Sequence, residues 1–124
     1  MEQLILHLIG DFLTQTDWMA KNKTSHIGIA ALHSGIYSLP FLLLSPSILA
    51  IAVIFLTHTA IDRYRLARFV VYAKNKVTEP GLQWADACKT GFHKDTPPWL
   101  AVWLLIIVDN TIHLGINYAS LRWL

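Results

Sequence analysis

The chain has 124 residues, about one domain's worth, with 54% apolar residues, 15% charged residues and a formal net charge of +2. Soluble domains carry roughly 25% charged residues, so this composition excludes a disordered protein, a coiled coil and an ordinary soluble enzyme, and points to a small polytopic membrane protein. The single cysteine, Cys88, excludes an intramolecular disulfide and a Cys-rich zinc ribbon, and the ten Lys/Arg form no run of the nucleic-acid-binding kind.

A helix needs about 20 apolar residues to cross the hydrocarbon core of a bilayer. The first segment, about 2–20, is interrupted by His7, Asp11 and Asp17; it is expected to be a span, with a re-entrant helix as the alternative. It lacks the basic start and uninterrupted apolar core of a secretory signal. The second, about 27–44, contains Pro40, which predicts a kink near its end. The third, about 47–68, continues with helical periodicity through Arg63, Arg65 and Arg68 toward Lys76. The loop over about 77–96 carries Gly, Pro and charges. Pro97-Pro98 opens the last span, about 98–118, as suits a first helical turn. The expected fold is all-α: a single domain forming a four-helix transmembrane bundle with a short or re-entrant first helix.

Basic residues set the orientation. Lys21 and Lys23 follow the first helix, and Arg63, Arg65, Arg68, Lys74, Lys76, Lys89 and Lys94 follow the third, whereas the link Ser45-Pro46-Ser47 is uncharged. The positive-inside rule places both basic loops in the cytoplasm. Trp18, Trp99, Trp103 and Trp123 fall near span ends, as an interfacial aromatic belt requires.

The informative residues are ionisable groups inside apolar segments. Three pairs are spaced i,i+4, so that both members project from one helix face: His7 with Asp11, His58 with Asp62, and Asp109 with His113. An Asp near the bilayer centre costs roughly 2.5–3.5 kcal/mol; three sum to on the order of 8–10 kcal/mol, comparable to a domain's whole stability. Something must compensate them. Helices one and three read His-then-Asp and helix four reads Asp-then-His. In an alternating bundle this reversal brings the three histidines to one depth and the three aspartates to a second layer about 6 Å away, with His33 reaching in from helix two. The stripes His7, Gly10, Asp11, Thr14, Gln15, Trp18 on helix one, His26, Ala30, His33, Tyr37 on helix two and Asp109, Asn110, His113, Asn117, Ser120 on helix four agree.

Imidazole with carboxylate favours a divalent transition metal, zinc foremost with iron or manganese as alternatives. The candidate ligands are His7, Asp11, His33, His58, Asp62, Asp109 and His113, enough for one ion or for two about 3.5–4 Å apart. His33 taken alone also reads as an interhelical hydrogen bond. His26 and His93 read as non-ligands, Asp17, Asp86 and Asp95 as solvated carboxylates, and the Arg63, Arg65, Arg68 group chiefly as topology charge. Arg65, one turn beyond Asp62, is also a candidate for holding a phosphate or headgroup, and Asp62 and Asp109 are candidate general bases.

His7-Leu8-Ile9-Gly10-Asp11-Phe12-Leu13, running on through Gln15 and Thr16-Asp17-Trp18-Met19-Ala20 to Lys23, resembles the opening signature of an uncharacterised family of small membrane proteins from bacteria and their phages. Thr90-Gly91 through Pro97-Pro98-Trp99 to Asp109-Asn110-Thr111-Ile112-His113 and Asn117 resembles that family's closing signature. The HxxxD pattern is also similar to that of inner-membrane proteins described as metal-dependent hydrolases. The first resemblance implies a multi-pass protein of the bacterial inner membrane and brings no established activity; the second implies a metal site and a hydrolase, and names no substrate.

Three functions follow as expectations. The first is a membrane-embedded metal-dependent hydrolase acting on a lipid or other amphipathic ester or phosphoester. The second is a metal-ion or proton transporter or channel subunit, which implies a homo-oligomer. The third is a non-catalytic membrane interaction protein with a structural metal. Membrane lipids are the expected partners, and nucleic acid is not one.

Overall fold

Every regular element of the computed structural model, which describes Met1–Leu124, is helical. The chain resolves into two compact units, Met1–Tyr64 with His113–Leu124, and Arg65–Ile112.

The first unit begins with α1, Glu2–Leu8, which continues as a π-helical turn over Ile9–Leu13 closed by Thr14 N–H donating to Ile9 O at 3.0 Å. The segment expected to be one helix over about 2–20 is thus two pieces. Thr14–Thr16 interrupts it, and Thr16 caps a new start by accepting from Met19 N–H, giving α2, Asp17–Asn22. The physical reason is local: a threonine side chain offers the backbone an alternative to the helical ladder and is favoured at the N-cap. α3, Ile27–Ser38, tightens into a 3-10 turn over Leu39–Leu44 at Pro40 and ends at Ser45 in the left-handed conformation (φ 50°), the interruption that Pro40 leads one to expect. Ser47 Oγ accepts from Ala50 N–H at the start of α4, Ile48–Tyr64. α3 and α4 share the most extensive packing in the unit.

A small apolar cluster of Leu6, Tyr37, Phe41 and Ile54 is flanked by Leu44, Ile51 and Leu121. The rest of its interior is polar: His7, Asp11, His33, Ser34, His58, Asp62, His113, Asn117 and Ser120 are buried, while Leu39, Leu43, Ile48, Leu49 and Leu56 are exposed. Gly10 makes this possible. A Cβ there would lie 2.7 Å from Tyr37 Cδ2 and 2.9 Å from Tyr37 O, so only glycine lets the π-helical turn rest on α3.

The second unit starts at Arg65, whose positive φ of 53° ends the helix that periodicity extends toward Lys76. The chain restarts as α5, Ala67–Thr78. The segment that follows, read as a loop, holds a short helix α6, Trp84–Ala87, whose Trp84 ring stacks on Phe69 at 4.8 Å. It is fastened to α5 by Tyr72 Oη and Lys76 Nζ donating to Leu82 O and by Asn75 Nδ2 donating to Gly91 O. Gly91 has φ +85° and packs so closely on the Arg68 carbonyl that a Cβ would collide with it. α7, Pro98–Trp123, opens in this unit, and its residues from His113 belong to the first. Two helical stretches, Ile27–Leu44 and Pro98–Trp123, are long and apolar enough to cross a membrane.

Gly10→Ala is expected to destabilise the folded protein in detergent by about 1–3 kcal/mol, the usual effect of overpacking. Gly28→Ala, where a Cβ meets nothing within 4 Å, should leave stability unchanged or slightly raised. Chemical unfolding of the two variants side by side measures the difference.

Candidate metal centre

Three helical elements bring four ligand-type side chains together. The π-helical turn supplies Asp11, α3 supplies His33, and α4 supplies His58 and Asp62 from one face. All four are buried, and one ligand atom from each lies within 4.8 Å of every other. His33 Nε2 is 3.2 Å from Asp11 Oδ1, 3.3 Å from Asp62 Oδ2 and 3.1 Å from His58 Nε2. His58 Nε2 is 3.1 Å from Asp62 Oδ2 and 3.6 Å from Asp11 Oδ1. A tetrahedral ion with bonds of about 2.0–2.1 Å separates its ligands by about 3.3–3.4 Å. The five separations scatter around that edge.

Hydrogen bonding alone serves this arrangement poorly. Two imidazole nitrogens 3.1 Å apart cannot both carry protons, and a single N–H on His33 Nε2 cannot serve both carboxylates and His58 together. A cation at the centre is approached by lone pairs from all four groups. These buried His/Asp groups are positioned to hold a metal ion.

Lys23 also reaches the cluster. Its ammonium donates to Asp62 Oδ2 at 2.8 Å and lies 3.4 Å from His33 Nε2, with the side chain 15% exposed. The backbone beside it is fixed by Arg63 Nη1 donating to Thr24 O at 2.6 Å. By charge pattern alone Lys23 reads, with Lys21, as topology charge. The two part company here, since Lys21 pairs with exposed Asp17 at 2.6 Å. The signal available in the sequence was that the opening signature extends as far as Lys23.

His7 and His113 adjoin the cluster. Tyr37, fully buried, stacks on His58 with ring centroids 3.7 Å apart, and its hydroxyl lies 2.7 Å from His7 Nδ1 while accepting from Asn117 Nδ2 at 2.6 Å. His7 Nε2 lies 3.8 Å from Asp11 Oδ2. The His7 and His113 rings are 6.1 Å apart, the His58 and His113 rings 4.2 Å, and His113 Nε2 is 3.7 Å from Asp62 Oδ1.

Asp109 stands one turn before His113 on α7, in the part belonging to the second unit, and is half-buried. Arg65 is also in that unit, where its guanidinium donates to Lys89 O at 2.8 Å. His26 is exposed at the start of α3, and His93 lies near Asp95.

The model of one protein family, described as a protein of unknown function (DUF3307), matches residues 1–117. The chain belongs to this family. No curated protein and no solved structure is detectably similar to it. The DUF3307 match spans the whole four-residue cluster and Lys23, so the centre lies inside the family's domain.

Two outcomes follow from these contacts. Tyr37→Phe removes the hydroxyl between His7 and Asn117 and should lower stability by about 1–3 kcal/mol, the cost of disrupting a buried hydrogen bond, while the remaining ring still covers His58. Lys23→Met removes a positive charge beside the cluster and should tighten divalent-ion binding by about tenfold or more. Equilibrium unfolding checks the first, and competition against a metallochromic chelator the second.

Proposed function

We propose that this DUF3307 chain is a membrane-embedded, metal-dependent hydrolase in which Asp11, His33 and His58 hold one divalent ion and Asp62 acts as general base. The observation that carries the reading is the near-tetrahedral spacing of four buried ligand atoms, with one carboxylate, Asp62, already engaged by a lysine. Catalytic centres of this kind keep three protein ligands and leave a fourth position to water or substrate. Two imidazoles with carboxylate oxygens at this spacing suit zinc, ahead of iron or manganese.

The bound ion would lower the pKa of water and polarise the attacked ester or phosphoryl group. Asp62 takes the proton that water loses as its oxygen bonds to the carbonyl carbon or phosphorus. The departing alcohol oxygen leaves with the electron pair of the broken bond and recovers a proton from Asp62. Lys23 donates to Asp62 and holds its carboxylate in place. Asp11 and Asp62 are anionic and Lys23 cationic, so a divalent ion brings the cluster to one net positive charge, which favours that proton loss. His7, positioned through Tyr37, and His113 border the centre and orient what enters it.

The exterior supports a membrane location. Exposed leucines and isoleucines surround a buried set of histidines, aspartates, serine and asparagine, the inverse of a water-soluble domain. The four apolar segments then form the bundle, with basic loops on the cytoplasmic side of a bacterial inner membrane. Lipid covers this exterior, and an amphipathic ester or phosphoester is the substrate class that reaches a centre enclosed among such helices. Uncovered apolar faces also suit a second copy of the chain.

One observation favours a second reading. Four protein groups, rather than three, stand at ligand distance, and a closed four-ligand shell is typical of structural metal. The discriminating variant is Asp62→Asn. In the hydrolase, stoichiometric zinc measured by elemental analysis persists in Asp62→Asn while lipid-ester hydrolysis falls by about a hundredfold or more; both are lost in His33→Ala and His58→Ala. Metal lost from Asp62→Asn with no turnover by the parent protein would make the ion structural. Parent protein purified without metal, and unable to take it up, would remove both readings.

A further inference from the structure

The second unit contains a cavity of about 640 Å³ between the segment after α5 and the start of α7. Its polar lining is dominated by cations: Arg65, Lys89 and Lys94 against the single carboxylate of Asp86. Lys94 is neutralised by Asp86 at 2.8 Å, a hydrogen bond that also holds the Asp86 carboxyl below its ordinary range. Lys89 is exposed, and its ammonium makes no hydrogen bond or ion pair; only its backbone carbonyl is engaged. Arg65 spends one N–H on the Lys89 carbonyl and keeps its other donors.

A neutral donor completes the set. His93 Nδ1 is taken up by Asp95, 3.2 Å from its N–H and 3.3 Å from its carboxylate. Thr90 Oγ1 accepts from Phe92 N–H at 3.3 Å and retains its own hydroxyl proton for an acceptor. The first turn of α7, at Pro98 and Ala101, adds the positive end of a 26-residue helix. Arg65 occupies a left-handed backbone conformation that costs a non-glycine residue energy and recurs where a side chain is set for function. Beside these groups lies an apolar wall of Phe92, Ala101 and Val102.

We infer that this cavity binds a phosphate monoester carried on an apolar chain, with Arg65 and Lys89 on the phosphate oxygens, Thr90 as a neutral donor, and the apolar wall against the chain. The three cations and Asp86 sum to two positive charges, which match a phosphomonoester dianion better than a phosphodiester. The inference stands on the second unit alone and does not rest on a metal centre.

The test uses full-length protein in neutral detergent with a chelator present, so its outcome is independent of the hydrolase reading. Short-chain phosphatidate, short-chain phosphatidylcholine and inorganic phosphate are titrated separately by calorimetry. Phosphatidate should bind at least about tenfold more tightly than phosphatidylcholine, and inorganic phosphate should compete with it while binding more weakly. Lys89→Gln should weaken phosphatidate about fivefold, the effect of one surface cation on an anionic lipid, and Lys89→Glu should weaken it further. Lys89 makes no side-chain contact that folding needs, and its carbonyl remains for Arg65 in both variants. Equal affinity for the two lipids, or phosphatidate binding unchanged in both Lys89 variants, would overturn the site. Inorganic phosphate binding as tightly as phosphatidate would overturn the lipid as its source.

Discussion

Two carboxylates enclosed among apolar helices must be met by positive charge or by donors, since an unpaired buried charge costs several kcal/mol. Asp11 and Asp62 impose that condition on the first unit, and its architecture answers it. Asp11 reaches His33 and His58 because the π-helical turn carrying it lies directly on α3. Asp62 reaches the same two imidazoles and Lys23 because α3 and α4 pack along their length and the link to α2 is tied back by Arg63. Loss of the close approach at Gly10 would move one carboxylate away from its partners and leave the rest with unmatched charge.

The same condition explains why the interior is polar and the exterior apolar. A water-soluble domain gains stability by burying leucine and isoleucine; here the buried apolar cluster is small. Tyr37 joins the two regions. Its ring belongs to the apolar cluster and stacks on His58, while its hydroxyl binds His7 and Asn117. Directional contacts of this kind hold the imidazoles in fixed orientations, which a metal centre requires and which apolar packing alone supplies less well.

Much of this centre was legible in the sequence, because its signal is one of exclusion. Histidine and aspartate at i,i+4 within apolar helices have few explanations, and the pair His58 and Asp62 shows it. The all-helical class, the interruption at Pro40 and the start of α7 at Pro98 were legible for equally local reasons. Features set by tertiary contact were not. Nothing in the composition of Ile9–Leu13 demands a π-helical turn, and the break at Thr14–Thr16 competes with a hydrophobic pattern that runs through it. Lys23 looks like its neighbour Lys21 until α2 is folded back toward α4. Tyr37 appeared as one member of a stripe, with no sign that three helices meet at its hydroxyl.

Arg63 and Arg65 show how a single backbone angle separates two chemistries. Continuous helical periodicity would carry Arg65 onto the Asp62 face, where it reads as an anion-holding group for the metal centre. Its positive φ of 53° ends α4 at Tyr64 instead. Arg63, still helical, turns to the Thr24 carbonyl and secures the backbone next to Lys23. Arg65 turns to the Lys89 carbonyl and brings its remaining donors to the cavity of the second unit. Arg68, back in helix, donates to the Cys88 carbonyl and stacks over Phe69 and Trp84, so its charge is spent on holding α5 and α6 together. Three arginines within six residues, all readable as topology charge, therefore take three different tasks. What sorts them is the left-handed turn at Arg65, which a sequence pattern does not encode because arginine has no intrinsic preference for that conformation.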